Sequence, residues 1–135
     1  ANVEMCERVG AENMFIFGLS SQQVEARQRS GEFHAGPEVA ASHRLNDVLQ
    51  AIRSGVFSHD DPARYTAMID SLINYDRFLV CADFDSYWSA QMRVEHLWHD
   101  KDAWWRAAVL NTARMGWFSS DRTIREYATE IWKAL

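Results

Sequence analysis

The chain has 135 residues, a formal net charge of −5 and 47% hydrophobic residues, which predicts one compact soluble domain with a sizeable core. The acidic balance gives no basic footprint for nucleic acid, and no stretch approaches the ~20 apolar residues of a membrane span. The two cysteines, Cys6 and Cys81, lie far apart without CxxC spacing. This indicates free thiols in a reducing, cytoplasmic setting.

A short apolar run near the start of the chain is the clearest strand signal. The run Met14–Phe17 is closed by Gly18, and its length and aromatic content favour a strand buried on both faces. Such a strand needs neighbours for its backbone groups, so we expect its sheet upstream in a longer protein or in a neighbouring copy. A short helix, capped by Asn2 and ended by Gly10, precedes the run.

Helical patterns dominate the middle of the chain. Ser20, with Gln23 as its capping-box partner, begins one helix. The segment 29–41 contains glycine and proline and shows no clear period, which predicts a loop. Ser42 begins a helix with an apolar stripe, and Gly55 ends it.

The next segments are a helix and an ambiguous apolar run. The sequence Asp60-Asp61-Pro62 predicts a helix with proline in its first turn. Its predicted buried face consists of Tyr65, Met68, Ile69, Leu72 and Ile73. The run Phe78–Cys81 is either a second strand or an extended connector, and Asp83 is placed to cap the helix that follows.

The last part of the chain predicts two more helices. Asp100 or Asp102 begins the first, and Gly116 ends it. Polar residues 119–121 are suited to the free N–H groups at the start of the closing helix. Its apolar residues recur at helical spacing on one side: Ile124, Tyr127, Ala128, Ile131, Trp132 and Leu135. A helix this amphipathic needs a surface to dock on. The whole pattern predicts a mostly α chain of about seven helices, with one or two short strands.

Two histidines form the candidate metal pair. His96 and His99 lie three residues apart near a helix end, where Glu95 or Asp100 would add an oxygen ligand. A structural zinc site needs four ligands, and histidine near a helix C-terminus is also favoured by the helix dipole. A small metal-dependent hydrolase is therefore the weaker of two alternative functions.

The remaining candidate chemistry is sparse. Residues 58–60 read Ser-His-Asp, but contiguous residues cannot form a catalytic relay, so a turn is the better interpretation. Arg114, Arg122 and Arg125 would suit a phosphate or carboxylate, or would form ordinary surface ion pairs. Neither cysteine is set among basic residues that lower a thiol pKa. We therefore predict no catalytic, cofactor-binding or metal-ligating residue in this chain.

Short motifs spread over nearly the whole chain stand in the order found in one enzyme family. In chain order they are Ala1-Asn2-Val3-Glu4, Glu12-Asn13, Phe15-Ile16-Phe17-Gly18, Ser54-Gly55-Val56-Phe57-Ser58, Asp76-Arg77-Phe78, Ala82-Asp83-Phe84, Asn111-Thr112-Ala113-Arg114, Gly116-Trp117-Phe118-Ser119-Ser120-Asp121-Arg122-Thr123-Ile124, Tyr127-Ala128 and Ile131-Trp132. Together they closely resemble the C-terminal end of α-glucan phosphorylases, the glycogen, starch and maltodextrin phosphorylase family. The chain departs from the family at 31–37, where members often carry Tyr-Asn-Pro and a pair of tyrosines.

The resemblance implies a much longer parent enzyme. That family has two Rossmann-like domains of the glycosyltransferase B type, and its pyridoxal 5′-phosphate lysine lies shortly before the residue matching Ala1. The glycine-rich stretch that cradles the phosphates also lies upstream. Residues 1–135 would then be a single helical fragment from the second, cofactor-bearing domain, and the absence of a starting methionine agrees with an excised piece. The two lysines, Lys101 and Lys133, match no part of the cofactor motif.

The family's reaction sets the functional expectations. The parent would cleave terminal α-1,4-glucosidic bonds of a glucan with orthophosphate and release glucose 1-phosphate. The chain alone would be inactive, would bind no cofactor, and would have the remainder of the parent as its partner. In the family, the closing helix packs against the other domain, so its apolar side would lack a dock here, which predicts a homo-oligomer. The main alternative is a free-standing helical interaction module, which the coding sequence upstream of Ala1 would distinguish.

Overall fold

Helices make up nearly all the regular structure in residues 2–31 and 34–134, the part of the chain that the computed structural model describes. The α-helices are α1 (Asn2–Val9), α2 (Ser21–Ser30), α3 (Gly36–Ala41), α4 (His43–Arg53), α5 (Thr66–Asn74), α6 (Val80–His99), α7 (Lys101–Arg114) and α8 (Ser120–Glu126). Short 3-10 turns cover Ala11–Asn13 and Met115–Phe118, and a π-helical turn, Tyr127–Ile131, continues α8. The mostly α prediction is confirmed. None of the described helices is long and apolar enough to cross a membrane.

The predicted strand Met14–Phe17 is wrong as regular structure, since no strand forms in the described part of the chain. The backbone leaves the 3-10 turn extended at Met14, but none of the described residues forms a strand beside it. Side chains replace part of the missing pairing: Asn111 donates to the Asn13 carbonyl at 2.8 Å, and Arg93 donates to the Ile16 carbonyl at 3.0 Å. The predicted burial on both faces is also wrong, because Ile16 is 44% exposed and Phe17 is 46% exposed.

The second apolar run, Phe78–Cys81, is neither a strand nor an extended connector. It forms a turn through Leu79, whose φ is 56°, and α6 begins at the next residue. The carboxylate of Asp76 accepts hydrogen bonds from the backbone N–H groups of Val80 and Cys81, both at 2.8 Å. Asp76 therefore caps α6, and the prediction that Asp83 caps it is wrong.

Four of the predicted helix starts are confirmed by their caps. The Ser20 hydroxyl and the Gln23 side chain form the reciprocal capping box of α2. Ser42 accepts from the Leu45 N–H at 3.2 Å, and Asp100 accepts from the Ala103 N–H at 3.0 Å. At the start of α8, Ser119 accepts from the Arg122 N–H at 3.3 Å. These bonds join residues three apart, so the sequence alone predicts them well.

Two boundaries differ from the predictions. The segment 29–41 was expected to be a loop, yet α3 occupies its second half, with Pro37 in the first turn where its fixed φ suits a helix. A helix of six residues is too short to show an apolar period. The helix predicted to open at Asp60-Asp61-Pro62 begins only at Thr66. Pro62 instead packs against Gly55 (φ 77°), where an added Cβ would lie 2.8 Å from the proline ring.

Residues 17–91 form one compact unit with a hydrophobic core. Its buried cluster consists of Ala35, Leu45, Leu49, Ile69 and Cys81, and partly buried Val39, Ile52, Leu72, Ile73 and Phe84 pack against it. Of the predicted buried face of α5, Ile69 is 0% exposed, whereas Met68 is 46% exposed. The chain enters this unit through Gly18 and Leu19, whose N–H groups donate to Ser86 and Asp83 on α6.

A second unit consists of the described residues up to Ile16 and from Met92 onward. Val9 is the one apolar side chain in this described set that is fully buried. Much of the unit is tied by polar contacts to backbone carbonyls: Arg114 donates to the Val9 carbonyl at 2.8 Å, in addition to the bonds made by Asn111 and Arg93. Apolar packing therefore contributes less to this unit than to residues 17–91.

Candidate functional site

The closing segment, α8 with its π-helical turn, exposes the apolar stripe that the sequence predicts. We call this the closing stripe; its members and their exposures are Ile124 (53%), Tyr127 (44%), Ile131 (64%) and Trp132 (60%). The predicted member Leu135 lies outside the described residues. The Tyr127 and Trp132 rings meet edge to face with centroids 5.9 Å apart. The stripe is thus ordered by its own ring contact while about half of its surface remains exposed.

The π-helical turn changes how the stripe is presented. The Trp132 N–H donates to the Tyr127 carbonyl at 2.8 Å, a span of five residues instead of four. This wider turn brings the two rings into contact. A π turn rotates the residues after it relative to an ideal helix, so the sequence's 3.6-residue period does not by itself place Trp132.

Trp117 and two arginines anchor the polar side of the closing segment. The guanidinium carbons of Arg8 and Arg122 lie 3.6 and 4.0 Å from the centroid of the Trp117 ring. Arg122 also donates to the Trp117 carbonyl and pairs with Glu126. Cation–π contacts of this kind contribute about 0.5–2 kcal/mol each. They fix the segment from one side and leave the closing stripe on the exposed side.

The three arginines considered for an anion site do not form one. Arg114 donates a hydrogen bond to the Val9 carbonyl. Arg122 donates to the Trp117 carbonyl and to the Glu126 carboxylate. Arg125 lines an open depression that also contains the carboxylates of Asp121, Glu126 and Glu130. Negative charges beside the guanidinium disfavour a phosphate, and the ion-pair interpretation is confirmed for Arg122, which pairs with Glu126.

His96 and His99 are the candidate metal ligands that the sequence offers. Among the residues that the structure describes, no group of three or more His, Cys, Asp or Glu side chains is arranged to hold a metal ion. The carboxylate of Asp100 is occupied as the cap of α7. His96 lines a groove with Glu12, Arg93 and apolar neighbours.

Residues 58–60 form the predicted turn. The Ser58 N–H donates to the Gly55 carbonyl, and the Asp61 N–H donates to the Ser58 carbonyl. Asp60 pairs with Arg64 at 2.5 Å, so its carboxylate already has a partner in a surface ion pair. Ser58 is 3% exposed and its hydroxyl lacks a partner among the described residues; it does not cap α5, which starts eight residues later.

The two cysteines are free and differ in environment. Cys6 is half-buried, with its Sγ 3.8 Å from the Met14 Sδ. Cys81 is 3% exposed, and its burial, followed by the nearby carboxylates of Asp76 and Glu38, raises the pKa of its thiol to about 11. The thiolate is the reactive form, so Cys81 is unsuited to nucleophilic chemistry at neutral pH.

The surroundings of the two lysines do not fit a pyridoxal phosphate site. The Lys101 Nζ lies 3.4 Å from the centroid of the Trp98 ring, at the exposed start of α7. Lys133 follows the π-helical turn with a φ of 51° and is exposed. Lys101 is held over an aromatic ring, and Lys133 is exposed beyond the last helical turn, so neither position resembles a buried lysine that holds a cofactor. We therefore derive no chemical step through the cofactor in this chain.

Sequence reasoning missed the side chains that bind distant backbone groups. Asp76 caps α6 from four and five residues upstream, and its position before an apolar helix start was a readable signal. Arg93, Asn111 and Arg114 reach carbonyls 77 to 105 residues away. No local pattern in the sequence indicates such partners.

Comparison with known proteins gives the chain a family. Residues 1–134 match the family model of carbohydrate phosphorylases. The chain is 46% identical over 132 residues to the glycogen phosphorylase of Synechocystis sp., covering 98% of this chain and 15% of that protein. It is 42% identical over 134 residues to the brain form from Bos taurus and 41% identical over 133 residues to the Haemophilus influenzae enzyme, covering 16% of each. This chain belongs to the carbohydrate phosphorylase family.

Proposed function

We propose that this chain is the C-terminal part of the second, cofactor-bearing domain of a glucan phosphorylase. One observation supports this above all: similarity to glycogen phosphorylases extends over 98–99% of the chain, yet the chain covers only 15–16% of those relatives. The mostly helical structure agrees with a portion of an α/β domain whose sheet lies in the remaining sequence, and so does the run Met14–Phe17, beside which none of the described residues forms a strand.

The proposed parent cleaves terminal α-1,4-glucosidic bonds of a glucan with orthophosphate and releases glucose 1-phosphate. Pyridoxal 5′-phosphate bound in the parent supplies a phosphate group for proton transfer to and from the substrate phosphate. The lysine that holds it belongs to the parent's upstream sequence. The proposed setting is cytoplasmic, which agrees with the two free cysteines.

Within the parent, we assign the closing stripe the role of a brace between domains. Its four side chains are 44–64% exposed while the opposite side of the segment is anchored through Arg122 and Trp117. Aromatic side chains bury about 150–250 Å² each, so covering the whole stripe would remove roughly 400 Å² of surface from water. At about 25 cal/mol per Å², this stabilises the docked state by about 10 kcal/mol as an upper estimate.

The upper estimate of about 10 kcal/mol for covering the stripe favours docking within the parent over association between two copies. Joining two free molecules costs an estimated ~4–15 kcal/mol in lost translational and rotational freedom. A stripe of about 400 Å² is also half of the ~800 Å² per partner that a standard stable interface buries. Self-association of the isolated chain is therefore expected to be weak and concentration-dependent. Docking within one polypeptide avoids most of the association cost.

A complementation experiment tests the proposal. The glycogen phosphorylase of Synechocystis is truncated to remove the part that matches this chain, and this purified chain is added to it. Glucose 1-phosphate formation from glycogen and orthophosphate is expected only when both pieces are present. The chain alone is expected to show neither pyridoxal absorbance nor product formation. Activity or cofactor absorbance from this chain alone would overturn its assignment as an inactive part.

The coding sequence upstream of Ala1 provides an independent test. A cofactor lysine motif preceded by a glycine-rich stretch is expected there. A start codon immediately before Ala1, with no such motif, would overturn the proposed parent. The sequencing result does not depend on whether the two pieces assemble in solution, so the two tests fail separately.

A further inference from the structure

We draw no further inference here: the strongest candidate, the aromatic pocket that Phe17, Phe78, Val80, Phe84 and Tyr87 form beside Asp83 within residues 17–91, is an unpartnered apolar surface, and nothing in the structure shows what covers it.

Discussion

The two units of the chain differ in how many apolar side chains they bury. Residues 17–91 enclose a cluster of buried apolar side chains, with Ile69 at 0% exposure near its centre. Among the described residues of the other unit, Val9 alone is completely buried, while large exposed side chains occur in both units, such as Phe78 (80%) and Trp105 (65%). Buried apolar area is the main favourable term in folding. The first unit therefore has its own source of stability, whereas the second relies more on polar contacts to backbone carbonyls.

The largest expected effect comes from removing side-chain volume in the core of residues 17–91. Ile69→Ala is expected to lower the free energy of unfolding by about 2–5 kcal/mol, since it leaves a cavity among residues that cannot fully collapse. The matched control is Ile131→Ala, which makes the same change at a side chain that is 64% exposed and is expected to cost under about 0.5 kcal/mol. Urea unfolding followed by circular dichroism measures both. Equal losses from the two variants would contradict the assignment of the core.

A second prediction concerns the buried cap of α6. Asp76 is 4% exposed and accepts two backbone hydrogen bonds, so Asp76→Ala leaves two N–H groups without their charged acceptor. Hydrogen bonds to charged groups contribute about 1.5–3 kcal/mol, and a loss of about 3 kcal/mol in unfolding free energy is expected. Asp47→Ala, at an exposed position of α4, is the control. An unfolding free energy for Asp76→Ala within about 0.5 kcal/mol of the control, the usual range for surface substitutions, would refute the capping role.

The two cysteines, one in each unit, are expected to differ in reactivity because they differ in burial. The pKa of Cys81 is raised to about 11 from 9.0 by burial and by Asp76, so iodoacetamide at pH 8 is expected to label Cys6 well before Cys81. The stability contributed by the protonated thiol is fully present below pH 9 and is lost as pH rises towards 11. The loss is at most about 2–3 kcal/mol. Mass spectrometry of labelled peptides and unfolding at several pH values measure these effects.

The control for this prediction is Cys81→Ser, which keeps a small buried side chain but removes the titrating thiol. For this variant, the unfolding free energy is expected to fall less steeply with pH between 9 and 11, because residue 81 no longer titrates. Labelling of Cys81 at the rate of Cys6 under native conditions would show that the carboxylates and burial do not protect it.

Polar ties in the second unit are expected to contribute less each. Arg114→Ala removes the hydrogen bond to the Val9 carbonyl and is expected to cost about 1 kcal/mol. Arg106→Ala, an exposed position on the same helix, is the control. Amide hydrogen exchange of α1 reports the local opening directly. Unchanged exchange rates in α1 would show that this bond does not hold the two helices together.

The last prediction concerns self-association of the isolated chain. Ile131→Asp places a charge in the closing stripe and is expected to weaken association about tenfold, which corresponds to about 1.4 kcal/mol. Glu130→Asp, a neighbouring exposed position, is the control. Sedimentation across a range of concentrations measures the equilibrium. If the unsubstituted chain is monomeric at every concentration, the predicted association is wrong. If Ile131→Asp leaves the association constant unchanged, the closing stripe is not the associating surface.

By itself, the sequence determined the helical class, four of the helix starts and the family. Caps such as Ser20 with Gln23, and Asp100 at the start of α7, join residues three apart, so their chemistry is legible in a short window. The closing stripe is legible for the same reason, because residues at helical spacing share one side. The ordered motifs added an identity that no single residue provided.

Only the tertiary structure decided what the apolar residues and long polar side chains do. Met14–Phe17 is apolar enough for a strand, but a strand forms only where another strand supplies its hydrogen bonds, and none of the described residues does so. Arg114 and Asn111 found carbonyls about 100 residues away, and Asp76 took the helix start expected of Asp83. Local periodicity shows which side of a helix is apolar. Whether that side is covered depends on which other surfaces the folded chain packs against it. At the closing stripe, Ile131 remains 64% exposed.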